Sequence, residues 1–243
     1  MTEKSYQIES NTYENGTQVS NSWEEKIMEN GKKVISFSLY GNNPKYVVGM
    51  LKNVELAKKI YPDWEVWIYY AKTDEAALNT TDAVLINMEG SKLPGRIWRF
   101  LPNVESLIVR DSDSRLSMRE RLAVDEWIAS GKSLHVMRDH PHHKFAMLAG
   151  MWGIKSGDYS VEAKVYDWCK NDESWGNMQY DNADQRFLRD VIYRDFKGDM
   201  MVHESSDSGF PNGIPFPSEM VDRRFVGEIY DENDERSYQY TLI

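Results

Sequence analysis

Apolar and polar positions change texture sharply at Lys33. Before it the chain is rich in Asn, Ser, Glu and Thr and shows no apolar period, which predicts a flexible polar leader over residues 1–31. Val34-Ile35-Ser36-Phe37-Ser38-Leu39-Tyr40 then reads as a strand, cut by the turn-forming run Gly41-Asn42-Asn43-Pro44. Val47, Met50, Leu51, Val54, Ala57 and Ile60 recur at helical spacing, and Pro62 stops that helix. Trp64 to Tyr70 and Ala83 to Met88 read as strands, Leu93 to Phe100 as a short helix. Val104 to Val109 reads as a buried strand that runs into Asp111-Ser112-Asp113. Ser117 is placed to cap the next helix, with Glu120 completing a capping box, Trp127 and Ile128 on the inner face, and Gly131 ending it. Leu134 to Met137 is a further short strand. Strands alternating with helices in this way predict an α/β fold, a mostly parallel sheet with helices on both faces. Residues 32–209 form its single domain. Residues 210–243, rich in Pro and Gly and then acidic, read as a segment wrapping that domain.

At 243 residues the chain can bury a sizeable core. Its charge alters the picture more than its size. With 39 acidic against 29 basic residues the formal net charge is −10, which argues against nucleic-acid binding. A phosphorylated ligand would therefore need local neutralisation by a metal ion or a few arginines. The chain has 8 Trp and 14 Tyr, whose flat faces and polar tips suit sugars as well as a core. A lone cysteine, Cys169, precludes an intramolecular disulfide. No apolar run approaches 18 residues and no charged-then-apolar leader is present, so the expectation is a cytoplasmic protein without a membrane span or signal peptide. The glycosylation patterns Asn15-Gly16-Thr17 and Asn79-Thr80-Thr81 would then be silent.

Ligands of open parallel sheets bind beyond the carboxyl ends of the strands. That rule selects the loop after Tyr40 and the acidic pair after Val109. Two carboxylates at i and i+2 past a strand end can converge on one hard divalent cation, Mn²⁺ or Mg²⁺, which also bridges diphosphate oxygens. Arg110 and Arg115 flank the pair. A different reading starts from His135, His140, His142 and His143, which with Asp139 could form the metal site of a hydrolase. Pro141, however, forbids the helical i, i+4 ligand spacing. A third is a non-catalytic carbohydrate-binding protein.

Six further segments belong together: Lys33 to Gly41, Trp98-Arg99-Phe100-Leu101, Ile108-Val109-Arg110-Asp111-Ser112-Asp113-Ser114-Arg115, Val136-Met137-Arg138-Asp139-His140-Pro141, Gly150-Met151-Trp152-Gly153 and Asp184-Gln185-Arg186-Phe187-Leu188. Taken in order they resemble a family of GT-A-type glycosyltransferases of bacteria and large algal viruses. The similarity runs over roughly residues 32–235, with the motifs in order. It implies a GT-A fold and transfer of a hexosyl or deoxyhexosyl group from a UDP- or GDP-linked sugar to a glycan or glycoprotein acceptor. It also implies a divalent cation on Asp111 and Asp113, with His203 as third ligand. By the same resemblance, Tyr40 frames the nucleotide base, while Arg96, Arg99, Ser112 and Gln185 serve the nucleotide sugar. Asp139 and Asp184 are candidate general bases, and His140 and Trp152 line the acceptor side. Stereochemistry is left open, since inversion needs a carboxylate within reach of the acceptor hydroxyl and retention does not.

Overall fold

The first core strand contributes to both of the molecule's apolar layers. In the computed structural model, which describes residues 13–14, 17–18, 29–171, 182–206 and 208–237, strand β3 (Glu29–Tyr40) sends Ile35, Phe37 and Leu39 to one face and Val34 to the other. A two-residue pairing, β1 (Tyr13–Glu14) with β2 (Thr17–Gln18), lies in the segment read as a leader. β3 itself starts at Glu29, two residues before the expected end of that leader. The remainder of residues 1–28, including Asn15 and Gly16 of the first glycosylation pattern, lies outside the described residues.

The helix α1 (Pro44–Ile60) follows, capped by Asn43, whose side chain accepts from the Lys45 amide. Proline at its first position is pre-set for helical φ and gives up only an amide that would be unpaired there. Next come β4 (Glu65–Ala71), the short α2 (Glu75–Leu78) and β5 (Val84–Asn87). The predicted helix before the acidic motif is a 3₁₀ helix, Gly95–Phe100. β6 (Val104–Arg110) then leads to α3 (Met118–Ser130), β7 (Leu134–Arg138) and β8 (Met151–Lys155). Ser117 caps α3 as expected and Gly131 ends it at φ 76°. The capping box is only half formed, because the Glu120 carboxylate turns inward to Tyr61 and Arg110. α4 (Val161–Asn171), α5 (Ala183–Phe187), a π-helical stretch Leu188–Tyr193, α6 (Arg194–Phe196), β9 (Met200–Glu204) and β10 (Gly213–Ile214) complete the chain.

One sheet runs β10-β9-β7-β8-β6-β3-β4-β5. All its pairings are parallel except those of β8 with β6 and β7. α1 and α3 cover one face through Met50, Val54, Ala57, Val124 and Trp127. The 3₁₀ helix, α4 and α5 cover the other through Ile97, Phe100, Val165 and Phe187. This is the expected α/β architecture. Because β3, β4 and β6 are parallel, Tyr40, Ala71 and Arg110 end at one edge, and antiparallel β8 begins there with Met151 opposite Arg110. Beyond Gly209 the chain returns over the α3 side. The Val226 amide binds Asp139, and the Tyr230 amide donates to the Asp113 carbonyl. Among the described residues no helix is long and apolar enough to cross a membrane.

Candidate functional site

The carboxyl edge between β3 and β6 gathers three carboxylates and two cations. Asp111 leaves β6 with its side chain 45% exposed and ion-paired with Arg99. The other guanidinium nitrogen of Arg99 reaches Asp184 Oδ2 at 3.3 Å, in the first turn of α5. Two residues on, Asp113 faces Lys45 Nζ at 2.7 Å, its side chain only 13% exposed. Burial pushes the Asp113 carboxyl up from its ordinary value and the nearby Asp111 charge pushes it further, while Lys45 opposes both. Two carboxylates close enough to repel each other, held at a strand end, are a donor set that suits a hard cation.

The backbone around the pair is cut to fit. A Cβ on Gly150 would lie 1.9 Å from Asp111 Oδ2, so the residue before β8 must be glycine for Asp111 to stand where it does. A Cβ on Gly49 would lie 2.1 Å from the Ser112 carbonyl, so α1 can press directly on the motif loop. One turn later the buried Asn53 amide donates to the Ser112 and Ser114 carbonyls (3.3 and 2.9 Å) and accepts from the Leu116 amide at 3.0 Å. Ser112 itself is buried. The loop is therefore pinned from α1 on one side and from Tyr230 on the other.

Tyr40, 47% exposed, stands edge-on to Trp98 with ring centroids 5.9 Å apart. Its ring lies against Gly95, where any Cβ would collide with it. In a 3₁₀ helix residues three apart eclipse, so Arg96 stands on the same side of its helix as Arg99. Arg99 is fixed through its amide to Ser38 Oγ at 2.9 Å. Gln185 lies beside Asp184. With its amide oriented to satisfy both ends, it donates to the Met147 carbonyl at 2.8 Å and accepts from the Ala149 amide at 3.0 Å. It thus holds the loop entering Gly150, and its amide is committed there.

Four expected site residues fall elsewhere. Asp139 is fully buried, gripped by Arg119 at 2.7 and 2.8 Å and by the Val226 amide at 2.8 Å, so no substrate proton can reach it. His203 is buried between His135 (2.8 Å) and Glu126 (3.2 Å), and both its ring nitrogens are engaged. It does not join Asp111 and Asp113 as a third ligand. Trp152 sits in mid-strand at 0% exposure, edge-on to Phe100, which makes it core and not an acceptor platform. His140 is buried against Phe225 at 4.4 Å. The hydrolase reading fares no better: His135 points under the sheet against Trp127 while the other three histidines sit in the loop after β7. Among the described residues no three His, Cys, Asp or Glu side chains are grouped to hold a metal ion.

Gly150 was read in the sequence only within the Gly150–Gly153 motif, and Lys45, Gly49 and Asn53, which also belong to the site, were not singled out there. Two signals pointed to them. A lysine in the first turn of a helix opposes the helix dipole, and Gly49 and Asn53 interrupt an otherwise apolar helical stripe.

No protein-family model matches the chain, and no curated protein sequence matches it significantly. Among solved structures, it is similar to 4-diphosphocytidyl-2C-methyl-D-erythritol synthase from Anaerococcus prevotii (TM-score 0.43, 10% identity, 74% of this chain and 92% of that one). It is also similar to glucosyl-3-phosphoglycerate synthase from Mycobacterium tuberculosis solved with Mn²⁺, UDP and glucosyl-3-phosphoglycerate (TM-score 0.37, 12% identity, 60% of this chain and 67% of that one). A further structure of the Mycobacterium tuberculosis enzyme matches over 69% of this chain and 81% of that one, again at TM-score 0.37 and 12% identity. These are loose likenesses, and the functional reading rests on the site itself.

Proposed function

We propose that the chain is a glycosyltransferase that moves a sugar from a nucleoside-diphosphate sugar to a hydroxyl of a glycan or glycoprotein. The observation that carries the reading is the paired Asp111 and Asp113 at the carboxyl edge of a parallel sheet, with Arg99 and Lys45 on them in a protein of net charge −10. An acidic protein that gathers cations at one strand end is arranged for an anionic ligand. Asp111 and Asp113 would hold Mn²⁺ or Mg²⁺, which supplies Lewis-acid assistance to the departing nucleoside diphosphate. Gly150 leaves Asp111 uncovered, and two carboxylates with room for water and donor oxygens suit these cations, which keep several non-protein ligands.

The chain's own groups divide the remaining work. Tyr40, half exposed at the end of β3, offers a face to the nucleotide base. Arg96 and Arg99 project from one side of the 3₁₀ helix towards the diphosphate position. Asp184 is the candidate carboxylate joined to this cluster, through Arg99, and it takes the role considered for Asp139. In an inverting reaction it would accept the acceptor's proton. In a retaining one it would orient Arg99 and the sugar.

The test is direct. Melting temperature is measured with UDP or GDP, with and without Mn²⁺, alongside donor hydrolysis in wild type and Asp113→Asn. A ligand of the native state raises the midpoint by mass action. One of the two nucleotides should do so only with Mn²⁺, EDTA should abolish turnover, and Asp113→Asn should lower it by about a hundredfold or more. Full turnover in a chelated sample would sink the reading.

A further inference from the structure

The lysine that neutralises Asp113 takes up a carboxylate oxygen that the proposed cation would also need. Lys45 Nζ is 2.7 Å from Asp113 Oδ2, and the side chains are 28% and 13% exposed, so the contact is partly shielded from water. The pair is held by backbone on both sides. Asn43 caps α1 two residues before Lys45, Gly49 lies against the Ser112 carbonyl one turn later, and Asn53 ties the loop down beyond that. Arg99 treats Asp111 in the same way. Each aspartate of the motif thus has its own protein cation, and three carboxylates (Asp111, Asp113, Asp184) face two cations. A divalent ion placed on the pair changes that balance by two charges and puts Lys45 beside a like charge.

We propose that Lys45 is an exchange partner for Asp113. It occupies the carboxylate when no divalent cation is present. When one binds, Lys45 is displaced and becomes a ligand for the donor's diphosphate. The inference rests on the reading of Asp111 and Asp113 as a cation site. It assigns Lys45 two opposed effects: competition with the metal and attraction for the nucleotide. It also makes metal and nucleotide binding mutually reinforcing, since the diphosphate gives the displaced ammonium a new partner.

The experiment measures Mn²⁺ binding alone, by the electron paramagnetic resonance of free Mn²⁺, and then UDP and GDP binding at saturating Mn²⁺. The proteins are wild type, Lys45→Met, Lys45→Arg, Asp113→Asn and, as a control on the same helix, Lys58→Met, whose lysine pairs with Glu55 and Asp82. Lys45→Met should bind Mn²⁺ alone roughly tenfold more tightly, and the favoured nucleotide roughly tenfold more weakly, as befits loss of one partly shielded charge pair in each case. Lys45→Arg should restore both towards wild type, and Lys58→Met should change neither. Mn²⁺ affinity unchanged or weakened in Lys45→Met overturns the exchange, provided Asp113→Asn loses Mn²⁺. Asp113→Asn binding Mn²⁺ like wild type, or no Mn²⁺ binding by any of the proteins, overturns the cation site itself and the exchange with it.

Discussion

At the scale of single residues, Gly150 is the sharpest test of the site's geometry. Its missing side chain is the space that Asp111 Oδ2 occupies, so Gly150→Ala must swing the carboxylate away or push β8 from β6. We expect about 1–3 kcal/mol of overpacking cost together with a drop of tenfold or more in Mn²⁺-dependent nucleotide affinity. Gly198→Ala, where a Cβ meets nothing within 4 Å, should show neither effect. Calorimetric titration with chemical denaturation checks both, and unchanged affinity in Gly150→Ala would mean that Asp111 is not needed where it stands. The acidic pair was legible in the sequence because strand ends are where a parallel sheet binds and because two aspartates at i, i+2 have a chemical purpose there. Lys45 was not, since a helical lysine is ordinarily a solvated one. Trp152 was misread for a related reason. The resemblance put it on the acceptor side, within the Gly150–Gly153 motif, but Gly150 makes room for Asp111, and Gly153 makes room for Ile108 and Trp127 across the strand.

At the scale of elements, α1 and the motif loop form one unit. The Asn53 side chain supplies three hydrogen bonds between them, all buried. Asn53→Ala would leave two carbonyls and one amide without that partner, a loss of about 2–4 kcal/mol. It should also loosen Asp113, so nucleotide affinity with Mn²⁺ should fall along with the melting temperature. Asn53→Asp, which keeps the acceptor for the Leu116 amide but sets a charge against two carbonyls, should be no better. A variant that lost stability yet kept full nucleotide affinity would separate the helix from the site. β3 to β7, α1 and α3 were readable from periodicity because each buries an apolar stripe or a run of apolar residues in the sheet; β8, β9 and β10 were not read. The antiparallel direction of β8 was not readable either, since pairing direction is set by neighbours distant in sequence: Trp152 pairs with Val109 and Val136. Glu120 shows the same limit. Its spacing from Ser117 was that of a capping box, but the buried Arg110 guanidinium, 3.2 Å away, claims its carboxylate.

At the scale of the whole molecule, the C-terminal wrap is held by groups that must stay neutral or paired. Residues 210–237 close over the α3 side, with Phe225 against His140 and His143 and the Val226 amide on Asp139. That the segment wraps could be read from its prolines and glycines; where it docks could not, because its partners lie some ninety residues earlier. Burial, with the neighbouring His140 and His142, pushes the His143 ring down to about 3, and burial also lowers His203 and, far more, His135. The sign follows from proton counting. Below an ordinary histidine value of about 6.5 the unfolded chain takes up protons that the native state refuses, so stability is full above that pH and is lost as pH falls from about 6.5 towards 3. Asp63, held down to about 2 by Arg121 and Lys33 against its own burial, adds a further loss only below about pH 4. Asp113 and Glu120, both raised, work the other way, so the histidine effect is isolated by mutation. His143→Asn keeps an acceptor for the Asp139 amide and removes the titrating ring. Urea unfolding at pH 7, 6, 5 and 4.5 should show wild type losing stability on acidification, and the variant losing about one proton's worth less, roughly 1.4 kcal/mol per pH unit over that range. Because Tyr230, in the same wrap, donates its amide to the Asp113 carbonyl, nucleotide affinity should begin to fall in wild type before global unfolding and should fall later in His143→Asn. Identical slopes in the two proteins would show that His143 takes up its proton without disturbing the wrap.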